Sequence, residues 1–424
     1  MRHKILVFTY HFIWTFLILL FIPFLLLTYK RRFFERMALN LPKDSLDAGN
    51  IWIHALSVGE VVSAQPIVEA LRLKYPEKDI VFTVTTEKGM AVARKELEGK
   101  VSALITMPID FWWAIFRITG FIKPSVFVLI ETDIWPGLIN HLKSLGIQSI
   151  LVNGRISPRT FRSYRRFSPF VRAMFRPFAL CLMQSDLDRE RLCKIGVSSE
   201  KIRTAGNIKF DRDWKPMGRE EHKKWMDLLG FESGLPLWIA GSVHKGEEEI
   251  VLAVFKRLRG TFKNLCLIIA PRRIEEAQDI LLKAHEMGLS AALKTEVQND
   301  NRHRHDVLVL NTLGELGRIY GLGELCFVGG SLVPFGGHNL IEPAVFGCPV
   351  LFGPYTHNFV RMSEALAESG GGWRVKSGDE LYDAVKVLLE DKEKRKKTGA
   401  LAKGFVESNR GAVKRVIQSI SLLQ

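Results

Sequence analysis

Cysteine is scarce in this chain. There are five in 424 residues (181, 193, 266, 326 and 348), and no two form a CxxC pair. Such spacing excludes a disulfide framework and a zinc ribbon, and it fits a reducing compartment. Acidic residues are in deficit, 45 against 60 basic ones, which leaves a net charge of +15. That imbalance predicts an anionic partner: nucleic acid, an anionic membrane surface or a phosphorylated substrate. There is no GxxxxGK[ST], so the chain is not a P-loop NTPase, and HExxH and GxSxG are missing as well. Gly321-Leu-Gly323 is a broken dinucleotide fingerprint that precedes an apolar run instead of following one. His303 and His305 read as a surface pair, so neither a metal nor another cofactor is expected. Internal repeats and low-complexity segments are absent. With 47% apolar and 25% charged residues the chain has globular composition, and its length suits two or three domains of roughly 100–200 residues.

The one long apolar run lies at the amino terminus. Ile5 to Tyr29 are 25 residues without a formal charge. As a helix they would extend about 37 Å, enough to cross a hydrocarbon core of about 30 Å. Arg2 and Lys4 precede the run, and Lys30, Arg31, Arg32 and Arg36 follow it. A cleaved signal would have a shorter apolar region and a small-residue cleavage site in place of the basic cluster. The expectation is an uncleaved, single-pass anchor over 1–32, with the rest of the chain on the cytoplasmic side.

Short apolar runs then alternate with amphipathic stretches. Strands are expected at 51–55, 80–84, 101–106, 126–130, 149–152 and 179–183, with helices such as 61–73, 88–97 and 137–145 between them. A polar stretch near 211–234 breaks the series. A second series follows, with strands at 237–240, 265–270, 307–310, 325–328 and 349–352 and helices near 247–258, 275–287 and 358–369. The βαβα order predicts an α/β protein with two doubly wound parallel-sheet domains, 33–215 and 235–424, joined by a linker over 216–234. Residues 298–306 read as a solvated loop.

Chemistry concentrates at the carboxyl ends of the expected strands. Trp52-Ile-His-Ala-Leu-Ser-Val-Gly-Glu60 runs a strand through a glycine-bearing turn into a helix, so Glu60 either faces a ligand or complements the helix dipole. Glu131-Thr-Asp-Ile-Trp-Pro136 puts two carboxylates after a buried strand. They either raise the pKa of a neighbouring carboxyl or cap the helix starting near Pro136. Lys209 lies at the end of the first series. Pro271-Arg272-Arg273 suits a phosphate or carboxylate. Thr312-Leu-Gly314-Glu315-Leu316 opens a helix. The loop Gly329 to Glu342 has four glycines in nine residues and leads into a helix near Asn339, so its backbone N–H groups are expected to bind an anion. Seven arginines fall within 22 residues, at 155, 159, 162, 165, 166, 172 and 176, interleaved with Phe161, Tyr164, Phe167, Phe170 and Phe175. Beside a membrane anchor, Arg155, Arg159, Arg162, Arg165 and Arg166 point to lipid or lipid phosphate and not to nucleic acid.

In this order the segments WIHALSVGE, ETDIWP, NGRIS, GNIKFD, AGSVHKGEEE, APRR, LGELGRIYGLGELCFVGGS and GGHNLIEP resemble the Kdo transferases. These are membrane-anchored glycosyltransferases that move 3-deoxy-D-manno-octulosonic acid (Kdo) from CMP-Kdo to a lipid A precursor. The resemblance implies the GT-B fold, two Rossmann-like domains facing across a cleft, and a metal-independent, inverting transfer at the inner membrane in lipopolysaccharide synthesis. It implies Glu60 as general base, with Glu131 and Lys209 assisting near the transition state. It also implies that Pro271, Arg272, Gly314, Glu315, Leu316, Asn339, Leu340, Ile341 and Glu342 contact CMP. A GT-B enzyme using a UDP-sugar, or a membrane-tethered anion-binding protein, shares some of these features and gives no reason for the paired Glu60 and Glu131 motifs.

Overall fold

The computed structural model describes residues 9–10, 12–18, 20, 30–42, 46–297 and 305–423. Most of the expected anchor lies outside the described residues, as does 298–304 of the expected loop. Among the described residues no helix is long and apolar enough to cross a membrane. The chain divides into two units: Met1–Asp213 with Asn409–Gln424, and Trp214–Ser408.

The first unit is built on β1 (Asn50–Ala55), β2 (Ile80–Val84), β3 (Ala103–Thr106), β4 (Pro124–Ile130), β5 (Gln148–Gly154), β6 (Leu180–Met183) and β7 (Ile202–Thr204). They form one sheet in the order β3-β2-β1-β4-β5-β6-β7, parallel throughout. Central strands read as unbroken apolar runs because helices cover both faces. Ile51, Ile53, Val126, Val128 and Ile150 face the helix Val58–Lys74 and the last helix, Ala412–Ser421. Trp52, Phe127, Leu129 and Leu151 face the other way, toward Ile115, Leu138, Phe175 and Leu192.

The second unit repeats the plan with β8 (Leu237–Val243), β9 (Cys266–Pro271), β10 (Ala291–Leu293), β11 (Val307–Val309), β12 (Leu325–Val328), β13 (Val350–Phe352) and β14 (Gly372–Arg374). Their order is β10-β11-β9-β8-β12-β13-β14, and every pairing is parallel.

The structure departs from expectation at four points. Strands β7, β10 and β14 were not anticipated; each is a three-residue sheet edge without the continuous strongly apolar run that marks the equally short β11 and β13. The expected linker 216–234 contains the helix Arg219–Leu228, whose Met226, with Leu229 and Phe231 after it, is buried in the second unit's core. The carboxyl-terminal residues 409–424, expected in the second domain, return to the first. Asp211 accepts hydrogen bonds from the N–H groups of Gly411 (2.6 Å) and Val413 (2.5 Å), capping the last helix, and Arg415 donates to the carbonyl of Ala205 at 2.7 Å. The expected surface histidine His305 is buried: its Nε2 lies 3.0 Å from the Leu229 carbonyl oxygen and its ring packs edge-on against Phe231.

Candidate active site

In a doubly wound sheet, ligands bind outside the carboxyl ends of the strands where the order reverses. In the first sheet that point lies between β1 and β4. Glu60 follows β1 in the first turn of the helix Val58–Lys74, and Glu131 directly follows β4. Both expected carboxylates therefore belong to one crevice.

Glu60 is only 8% exposed. Its carboxyl accepts a hydrogen bond from the Leu56 N–H at 2.7 Å and one from the Ser57 hydroxyl at 3.3 Å. Burial pushes its pKa up to about 7, against the pull of the Leu56 hydrogen bond, and the charges of Glu131 and Asp133 push the same way. The two readings of Glu60 thus merge, since it occupies the helix start and is at the same time an acid tuned near neutrality. Asp133 does not cap the following helix. That work falls to buried Asp110, which accepts from the N–H groups of Gly137 and Leu138, both at 2.7 Å, and from the Tyr10 hydroxyl at 2.6 Å. Asp133 instead accepts from the Trp135 indole at 2.9 Å, and the imidazole of buried His54 lies 3.8 Å away.

Glu131, just past β4, and Asn153, near the end of the adjacent β5, both hold φ of 60°, a left-handed conformation that is costly for a glutamate. Lys209 Nζ lies 3.0 Å from Glu131 Oε1, so this lysine is not a solvent-facing one. Asn153 ties the group together. It donates to Glu131 Oε1 at 3.4 Å, while its own Oδ1 accepts the Ile208 N–H at 3.2 Å, one residue before Lys209.

In the second sheet the reversal lies between β8 and β12. Here the expectation for the glycine-rich loop needs correction. The N–H groups of Gly330, Ser331 and Leu332 point at Glu247, a fully buried side chain of this same unit, at 2.6, 2.9 and 2.8 Å, and the His244 N–H joins them at 3.0 Å. Those amides are already spent on a carboxylate in the first turn of the helix Glu247–Arg259. The helix expected near Asn339 is the single turn Ile341–Ala344. Arg272 is exposed just past β9, with Pro271 as that strand's last residue. Gly314 has φ of 85° and leads into the turn Leu316–Ile319. Glu315 is paired with Lys294 at 3.0 Å, and Asn339 donates to Glu342 at 3.1 Å. Leu340 and Ile341 are buried, so their side chains serve the core.

The arginine-rich stretch forms the helix Pro158–Arg166, which buries none of its residues, and then Ser168–Phe175. Arg159, Arg162, Arg165 and Arg166 are exposed and Arg155 is half-buried. Phe167 and Phe170 stand exposed beside them, and in the same unit so do Trp112, Trp113 and Phe116. Among the described residues no cluster of three or more His, Cys, Asp or Glu could hold a metal ion.

Sequence reasoning did not single out His54, Asp110, Asn153, His244, Glu247 or His338 as site residues. One signal was available: Ser57-Val-Gly-Glu60 and Ser242-Val-His-Lys-Gly-Glu247 repeat a strand–glycine–glutamate pattern.

Comparison with known proteins agrees with this arrangement. The family model described as 3-deoxy-D-manno-octulosonic-acid transferase matches residues 31–212. The 3-deoxy-D-manno-octulosonic acid transferase of Haemophilus influenzae is 33% identical over 92% of this chain and 90% of its own length. That of Aquifex aeolicus is 31% identical over 86% of this chain and 93% of its own. A crystal structure of UDP-GlcNAc 2-epimerase from Neisseria meningitidis, 11% identical, matches with a TM-score of 0.61 over 88% of this chain and 99% of that one, a likeness of fold alone. Two doubly wound parallel sheets agree with a GT-B architecture, and the coverage of the relatives decides the chemistry class: the chain is a glycosyltransferase and belongs to the 3-deoxy-D-manno-octulosonic-acid (Kdo) transferase family.

Proposed function

We propose that this enzyme transfers Kdo from CMP-Kdo to a lipid A precursor, with Glu60 as general base. The observation that carries this reading is the buried Glu60 carboxyl, poised near pH 7 at the strand-order reversal beside Glu131 and Lys209. A sugar hydroxyl is a poor nucleophile until a carboxylate takes its proton. A base whose pKa lies near the working pH does this best, with a contribution of about 10²–10⁴-fold. Glu131 and Lys209 sit as an ion pair beside the base and assist as the attacking oxygen gains bond order. Direct displacement by the acceptor inverts the anomeric centre.

The second unit takes the nucleotide. Arg272 offers a guanidinium fork to its phosphate, while the backbone at Gly314 to Leu316 and at Asn339 to Glu342, with Pro271, shapes the cytidine pocket. Negative charge gathering on departing CMP is met by these cationic and N–H groups without a metal, so activity survives a chelator. The exposed arginine and aromatic side chains at 155–170 and 112–116 dock the anionic lipid acceptor and the bilayer surface. The apolar run 5–29 anchors the chain in the inner membrane with both units on the cytoplasmic side.

The test is product mass after incubating the purified full chain with CMP-Kdo and tetraacylated lipid A precursor, beside Glu60→Gln. Addition of Kdo by the wild type alone supports the reaction and the base. Equal transfer by both proteins removes Glu60 from that role. If the folded wild type transfers nothing, the donor and acceptor assignment fails.

A further inference from the structure

The strand-order reversal of the second sheet holds two histidines that the reading above does not use. His244 follows β8, and His338 ends the glycine-rich loop that leaves β12. Their Nε2 atoms are 2.7 Å apart and the rings are nearly parallel, with centroids 5.0 Å apart and an interplanar angle of 9°. Phe335 stacks on His244 at 4.0 Å, so the pair is held by an aromatic wall. Gly330 is flush against both: a Cβ there would come within 3.1 Å of each ring. The backbone is shaped to bring these rings together. Ser242, two residues before His244, holds φ of 56°, and Glu247 pins the loop amides from beneath.

Two ring nitrogens at 2.7 Å require one ring to donate and the other to accept. Among the described residues, each Nε2 meets only the other ring. Burial holds both pKa values down, His338 to about 4, and the charge of Arg272 acts the same way on each ring, against the upward pull of Glu247 and Glu276 on His244, so the neutral form of both rings is favoured. Arg272 forms no salt bridge among the described residues. The one fully buried acid at this spot, Glu247, is committed to four backbone N–H groups. Around the rings the further charges are those of Arg272 and Arg273 and, opposing them at His244, Glu276, so two guanidiniums and two imidazoles able to donate stand against one remaining carboxylate. An oxyanion entering between the rings can accept from both. The accepting ring needs only to move its proton from Nδ1 to Nε2, and net charge is unchanged.

We propose that His244 and His338 are an anion-binding pair which, with Arg272, grips the phosphate or carboxylate of the donor at the strand-order reversal of the second sheet. Identification of that anion with the donor rests on the CMP-Kdo reading above. The pair orients the donor and takes no proton from the acceptor.

Calorimetry on the full chain in detergent, with CMP, cytidine and free Kdo as ligands, tests this on wild type, His244→Phe, His338→Phe and His338→Gln. The expected result is a loss of CMP affinity of about tenfold or more in each Phe variant, as for one hydrogen bond to a charged group. Cytidine affinity should be unchanged, and His338→Gln should recover part of the loss. A loss confined to free Kdo assigns the pair to the carboxylate. Equal affinities for CMP and Kdo in wild type and both Phe variants overturn the proposal. Wild type needs no substitution for a second measurement, the histidine ring signals in NMR during titration with inorganic phosphate. Movement of both rings supports the pair even if CMP and Kdo fail to bind, an outcome that would defeat only the donor reading. No movement of either ring overturns the pair.

Discussion

Glu60 and Glu247 occupy matching places in the two units. Each lies in the first turn of the helix that follows a central strand, β1 or β8, and each is buried. Their partners differ. Glu60 receives one backbone N–H and one hydroxyl, and it sits under the repulsion of Glu131 and Asp133. Glu247 receives four backbone N–H groups from two segments. Hydrogen bonds to the charged form stabilise it, whereas burial with few of them and like charges nearby destabilise it. The number of N–H groups aimed at each carboxylate therefore separates a poised acid from a structural tie.

The largest effect expected from this contrast is on rate. Glu60→Gln keeps an acceptor for the Leu56 N–H but cannot take a proton, so turnover should fall by about 10²–10⁴-fold while the melting transition is retained. Quantifying Kdo product against time checks it, and a rate within twofold of wild type would remove Glu60 as base. Next comes the mirror substitution, Glu247→Gln. An amide NH2 then faces two backbone N–H donors, and two charge-assisted hydrogen bonds are lost. The expected cost is about 3 kcal/mol or more in unfolding free energy, read from the denaturant midpoint of the second unit.

A third expectation concerns pH and stability. The folded pKa of Glu60, about 7, lies above its value in an unfolded chain of about 4.3. The folded state therefore binds the extra proton, and the stability from this group is full below the unfolded pKa and lost as pH rises through 7. Glu60→Gln should flatten that loss, so its stability relative to wild type should improve between pH 5 and 8 in parallel denaturant titrations. The smallest effect is on the pH–rate profile. Activity should rise with an apparent pKa near 7 as Glu60 ionises, and Asp133→Asn, by removing a negative neighbour, should move that limb down by less than about one unit. An upward move would mean that Asp133 acts otherwise than by repulsion.

Much of this was legible in the residues. The strands β1, β2, β4, β8, β11 and β12 stand out as apolar runs, because strands covered on both faces have no polar positions to dilute them. Glu60, Glu131 and Lys209 stood at strand ends, where doubly wound folds build sites. The edge strands β7, β10 and β14 were invisible because three residues carry no period and theirs, Ile-Arg-Thr, Ala-Ala-Leu and Gly-Trp-Arg, are not the continuous β-branched and leucine run that marks the equally short β11, Val-Leu-Val. The return of Ala412–Ser421 to the first unit depends on Asp211, some 200 positions earlier, capping its start. No local pattern reports such a partner.

The glycine-rich loop draws the line between the two kinds of information. Its composition alone determined that the backbone there must turn tightly and present N–H groups, since only glycine admits the φ values of 66°, 102° and 75° at Gly330, Gly336 and Gly337 without strain. Which anion those groups face was a tertiary matter. Helix Glu247–Arg259 brings a carboxylate from 83 residues away in sequence to meet them. The same holds for Glu60. Its sequence context placed it at a strand's end, but its acidity was set by the closing of burial and two further carboxylates around it, and electrostatic coupling follows distance in space and not distance along the chain.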